Sequence, residues 1–185
     1  IGDQAGESVI GTSNTIVGRQ AAWKAGDIDH CVVIGRGALQ GDGSTAPTGD
    51  YNVAIGSYTL DATTTGYANI AIGYTAGSAM TDNTYNIAIG YEAMLAANGG
   101  ENYNIAIGTN ALGAETSGAD GCVAIGYAAL AYQNRADSGN TAIGRLALTN
   151  LGNSVTQMVA AMSTAATTRC LVNKLATQSR PDRTT

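Results

Sequence analysis

NYNIAIGTNAL, residues 102–112, decides the fold, because near-copies of it recur along the chain. Asn86 opens NIAIGYEAM, Asn69 opens NIAIGYTAG, Asn52 opens NVAIGSYTL and Asn140 opens NTAIGRLAL. With that Asn as position zero, units begin at Asn14, Cys31, Asn52, Asn69, Asn86, Asn104, Cys122 and Asn140. Their spacings are 17, 21, 17, 17, 18, 18 and 18. A fixed period of this length marks a repeat architecture, whose units bury apolar surface against their neighbours.

The template is tight. Position +4 is glycine in all eight units, from Gly18 through Gly35, Gly56, Gly73, Gly90, Gly108 and Gly126 to Gly144. Position +3 is Ile, or Val17 once; position +7 is Ala except at Thr59; position +8 is most often Leu. Ile1, Gly2 and Ala5 fit positions +3, +4 and +7, so the chain is expected to start inside a repeat of a longer protein.

Positions +1 to +3 read Val-Ala-Ile or Ile-Ala-Ile, a short strand apolar on both faces and so covered on both. The glycine supplies a turn or a close backbone approach. The Ala-Leu pair is expected to begin a second short strand, and a polar loop returns the chain to the next Asn. Such a unit leaves no room for a crossover helix, so identical positions stack. The expected fold is all-β: a parallel β-roll or solenoid of about nine 17–18-residue coils over residues 1–150. At about 4.8 Å per coil, seven steps make a rod of roughly 34 Å. One apolar face closes the coil. The other is expected to pack in a homotrimer about the long axis, with stacked alanines allowing close approach.

Other columns follow the register. Tyr74, Tyr91 and Tyr127 share position +5, and Tyr51, Tyr85 and Tyr103 share position −1. They read as packing, with a carbohydrate-stacking surface as the functional alternative. The Asn at position zero reads as a buried ladder that bonds between coils or caps the turn. Cys31 and Cys122 take the same slot five coils apart, about 24 Å by strand spacing. A disulfide needs Cα atoms within about 7 Å, so no 31–122 bond is expected.

With 9 Lys and Arg against 14 Asp and Glu, nucleic acid and anionic membrane are poor partners. Between Arg36 and Arg135 lie eight acids and no base: Asp42, Asp50, Asp61, Asp82, Glu92, Glu101, Glu115 and Asp120. They read as a solvated acidic surface, and no calcium-loop spacing accompanies them. No apolar run has the length of a membrane span, and no signal-peptide pattern opens the chain. Three cysteines without metal-ligand or framework spacing point to thiols kept in a reducing compartment.

The motif NxAIGxxA/S resembles the head repeat of trimeric autotransporter adhesins of the YadA type. It equally resembles the GNTAIGxxAL repeats of bacteriophage fibres and tail proteins. The resemblance covers roughly residues 1 to 150 and implies a left-handed parallel β-roll in a tight homotrimer. It departs in its longer spacing and in the loop of residues 40 to 50, expected to protrude and to be stiffened by Pro47.

The implied function is a structural or adhesive segment of a phage tail fibre or tail appendage, located on the virion and engaged in host attachment. Other tail or fibre proteins and a host receptor, glycan included, are the implied partners. Thiols, the Tyr-rich repeat and the lack of a following membrane anchor favour that home. The alternative is the head of a bacterial trimeric adhesin on the cell surface. A second alternative is the left-handed β-helix of hexapeptide acyltransferases. IGYEAM fits its unit, but the other two sides of an 18-residue coil do not repeat it.

No enzyme, cofactor or metal is expected. The single His30 has only Asp27 and Asp29 near it in sequence, and GRGALQG, residues 35–41, departs from a nucleotide loop in spacing. No catalytic or receptor-binding residue is assigned. Residues 151–185 are read as a C-terminal stalk or tail segment, either helical or irregular. Val155, Met158, Val159, Met162 and Ala166 fall at helical spacing, and TQSRPDRTT ends the chain.

Overall fold

The computed structural model describes residues 1–41, 43–97, 100–114, 118–132, 138–149 and 158–160. Each unit extends for three residues after position zero and then turns. The strands are β1 (Thr15–Val17), β2 (Val32–Ile34), β3 (Val53–Ile55), β4 (Ile70–Ile72), β5 (Ile87–Ile89), β6 (Ile105–Ile107), β7 (Val123–Ile125), β8 (Thr141–Ile143) and β9 (Met158–Ala160). They form one parallel sheet in chain order, each in register with the next, as Ala88 with Ala106 and Ala106 with Ala124. The result, over the described residues, is an all-β parallel solenoid of about seven turns, against an expectation of about nine coils for the chain. The first residues keep the register: Gly18 N–H donates to Ile1 C=O at 2.7 Å.

The second strand does not form. At positions +4, +6 and +8 the backbone has positive φ, as at Gly108 (133°), Asn110 (56°) and Leu112 (49°), whereas +5 and +7 do not. Alternating hand coils the chain instead of extending it, and the donors then point up and down the rod. Gly108 N–H donates to Ile89 C=O (2.7 Å) and Asn110 N–H to Tyr91 C=O (2.9 Å), both in the preceding turn. Leu112 N–H donates to Ala129 C=O (3.0 Å) in the following one. Backbone groups are thus paired without a ladder of extended residues. At Gly108 a side chain is barred twice. Its φ suits glycine, and a Cβ would stand 2.5 Å from the Gly126 carbonyl oxygen.

The alanines face inward, which corrects the expected alanine contact between chains. Ala54, Ala71, Ala88, Ala106, Ala124 and Ala142 at +2 are buried, as are the +7 alanines from Ala21 to Ala147 and Leu39, Leu60, Met94, Leu112 and Leu130 at +8. The reason is thickness. The interior is one side chain deep, and alanine on the strand leaves space for leucine from the turn wall. Ile and Val at +1 and +3 point the other way. Where Gly77 replaces the leucine, buried Met80 fills the space, its sulfur 2.6 Å from where a Gly77 Cβ would be.

Met158–Ala160 also departs from expectation. It pairs in parallel with β8, Met158 opposite Thr141, so the helical spacing there forms a strand. The rest of the expected stalk, and Cys170, lie outside the described residues. Among the described residues no helix is long and apolar enough to cross a membrane.

Candidate functional site

The position-zero asparagines are structural. Asn52 Oδ1 accepts from Asn69 N–H (3.0 Å), Asn69 Oδ1 from Asn86 N–H (3.0 Å), Asn86 Oδ1 from Asn104 N–H (2.9 Å) and Asn104 Oδ1 from Cys122 N–H (2.7 Å). Each amide also donates to a carbonyl of the next turn, as Asn69 Nδ2 to Asn83 (2.7 Å) and Asn86 Nδ2 to Glu101 (2.8 Å). A second ladder, at position −2, was not legible in sequence. Asn102 Oδ1 accepts from Thr84 N–H at 2.8 Å, and Asp120 Oδ1 accepts from Asn102 N–H at 2.7 Å. Ser138 Oγ accepts from Asp120 N–H at 3.1 Å.

Cys31 and Cys122 are buried and joined by no disulfide. Burial pushes the Cys31 thiol above its ordinary value.

The acids do not all lie in solvent. Glu101 is fully buried, where its Oε2 accepts from Asn83 Nδ2 (2.6 Å) and its Oε1 from Gly118 N–H (3.2 Å). Asp29 serves the −2 ladder. Its carboxylate accepts from Thr12 N–H and from Thr12 Oγ1 (2.9 Å), which hold it below its ordinary value. His30 is exposed, its ring edge-on to Tyr51 at 5.1 Å. Among the described residues no three His, Cys, Asp or Glu side chains gather as metal ligands. Of the long loop, residues 43–46 are exposed, while Pro47 is buried and its carbonyl accepts from Gly26 N–H (2.9 Å).

Two outward surfaces remain. The first is the strand wall. Val17, Ile34, Ile70, Ile107 and Ile143 are 36–46% exposed, and the Ile and Val side chains between them at +1 and +3 are partly so. The +3 column is Ile or Val in β1 to β8, and the +1 column is Ile or Val from Val32 to Val123 with Thr15 and Thr141 at its ends.

The second is aromatic. Tyr74 stacks on Tyr91 (5.5 Å, 13°) and Tyr85 on Tyr103 (5.2 Å, 7°), with Tyr67 edge-on to Tyr85. These rings are about half exposed, so the columns decorate the outside rather than fill the core. A hydrogen bond with Glu92 raises the Tyr91 phenol above its ordinary value.

These features define a parallel β-solenoid repeat protein with one strand per turn. The acyltransferase alternative asks for three flat sides. Comparison with family models, curated proteins and solved structures finds no match to the chain.

Proposed function

We propose that this chain is one protomer of a rigid homotrimeric fibre segment, in a phage tail fibre or related tail appendage, that takes part in attachment to a host cell surface. The observation that carries the reading is the outward Ile and Val face. An apolar stripe running the length of a rod marks an interaction surface. Because the +3 Ile or Val recurs from β1 to β8, a partner with the same repeat matches it turn for turn, and cyclic packing of like chains closes the assembly. A trimer displays each outer patch three times, so weak contacts add by avidity. The Tyr-rich repeat and the unbridged Cys31 and Cys122 favour a phage appendage over the head of a bacterial adhesin.

The test is location and competition. Antibody raised against residues 1–150 is expected to label the tail of a particle in electron micrographs, and the purified assembly to slow adsorption of that particle to cells. Label on a bacterial envelope would transfer the reading to the adhesin head. Neither label nor competition would remove the attachment role.

A further inference from the structure

The turn wall carries a groove of about 350 Å³ that the repeat does not explain. Its sides are Tyr127, Tyr132, Asn110 and Glu92, contributed by three successive turns. Its floor includes Gly113, Ala128 and Ala131, small residues where other turns place larger ones: Tyr58 at +6, Trp23 and Gln40 at +9. The groove exists because side chains shrink locally while the backbone register continues.

Tyr127 and Tyr132 line it. The Arg145 guanidinium, at the same position as Tyr127 one turn on, lies over the Tyr127 ring at 5.4 Å from its centroid. The preceding turn has Thr109 at that position, and Asn110 and Glu92 line the same groove. Tyr132 is 61% and Tyr127 49% exposed, so both rings are accessible to a ligand.

We infer that this groove is a binding site for a neutral saccharide of the host surface. It rests on the attachment reading above and specifies its ligand. A sugar ring is flat and apolar on its C–H face and ringed with hydroxyls. A tyrosine face takes the first, while a carboxylamide, a carboxylate and phenol hydroxyls take the second. The volume lies near the lower end of the roughly 300–1,000 Å³ usual for small-ligand sites, which suits one or two sugar rings. Glu92 is the charged residue of the lining and disfavours an anionic ligand. The shallow, open shape gives weak single-site binding, which repetition around a trimer strengthens.

The experiment is saturation-transfer NMR on the full chain with hexasaccharides of glucose, galactose, mannose and N-acetylglucosamine. At least one is expected to receive transfer, with affinity reduced about tenfold or more by Tyr127→Ala or Tyr132→Ala. Tyr103→Ala, in the other tyrosine column, is expected to leave it unchanged. Both groove tyrosines are half exposed, so melting curves of the variants should match the parent.

No transfer from any of the four probes overturns the site. So does transfer that survives Tyr127→Ala and Tyr132→Ala combined in one double variant. Failure of the attachment reading shows separately: the assembly then neither decorates a particle or envelope nor competes for cells, whatever the groove binds. Competition that persists in the double variant keeps attachment and removes this site.

Discussion

The two walls of each turn are built under different rules. The strand wall, positions +1 to +3, repeats Ile or Val, Ala, Ile from β3 to β7, with TIV, VVI and TAI in β1, β2 and β8. The turn wall, +5 to +10, keeps its inward Ala and Leu but varies outside, from Arg36 and Tyr58 to Glu92, Asn110 and Tyr127. Alternating φ carries this variety, because a backbone bonded through its own donors leaves outward side chains unconstrained. Repetition therefore suits contact with another repeat, and variation suits recognition of something else.

The largest effect is expected at the glycine between the walls. Gly108→Ala places a methyl against the Gly126 carbonyl at a φ that disfavours any side chain. The cost is about 3 kcal/mol or more, read as lost solubility or a sharply lowered Tm. Next comes Asn86→Ala on the strand side. It leaves Asn104 N–H without its buried acceptor and takes one of two donors from the Glu101 carbonyl, which keeps Asn83 Nδ2, at about 1–3 kcal/mol by chemical denaturation. If it cost no more than an outer change on the turn wall, the contrast between the walls would be lost.

Asp61, on the turn wall at +9, sharpens the comparison through pH. Burial pushes its carboxyl from 3.8 to about 6, and its Oδ1 meets no hydrogen-bond partner among the described residues. A pKa raised by folding contributes stability that is full below 3.8 and is lost as pH rises through about 6. The protein should thus lose about 1 kcal/mol between pH 4 and pH 7 through this group, a figure reduced for its partial exposure. Asp61→Asn should flatten that slope and raise Tm at pH 7. An unchanged slope would place the carboxyl in water.

The smallest effect is expected from Tyr103→Ala. It removes one exposed stacked ring and should move stability by about 0.5 kcal/mol or less.

Much of the solenoid was legible because its requirements fall on residue identity. The +4 glycine, the position-zero Asn and the 17–18-residue period announce stacked turns, and the amides stack as the sequence suggested. Handedness of φ was not legible. Gln20, Leu60, Glu92 and Leu146 are ordinary L-residues in a left-handed conformation, held there by bonds to adjacent turns. Their side chains carry no mark of it.

Nor could an alternating pattern with two apolar faces say which face closes the coil; interior thickness decided for alanine. The β9 strand hid because Ala161 stands where other turns have glycine. The groove depends on Gly113, Ala128 and Ala131 meeting across turns, a coincidence visible only in three dimensions.

The central claim, that the Ile and Val wall is buried between like chains, is tested most directly by solution mass from light scattering, with an Ile72→Asp, Ile107→Asp variant alongside. The account predicts about 56 kDa, three times the 18.6 kDa chain, and a smaller species for the variant. A parent that runs as a clean monomer, or a variant that keeps the full mass, would contradict it.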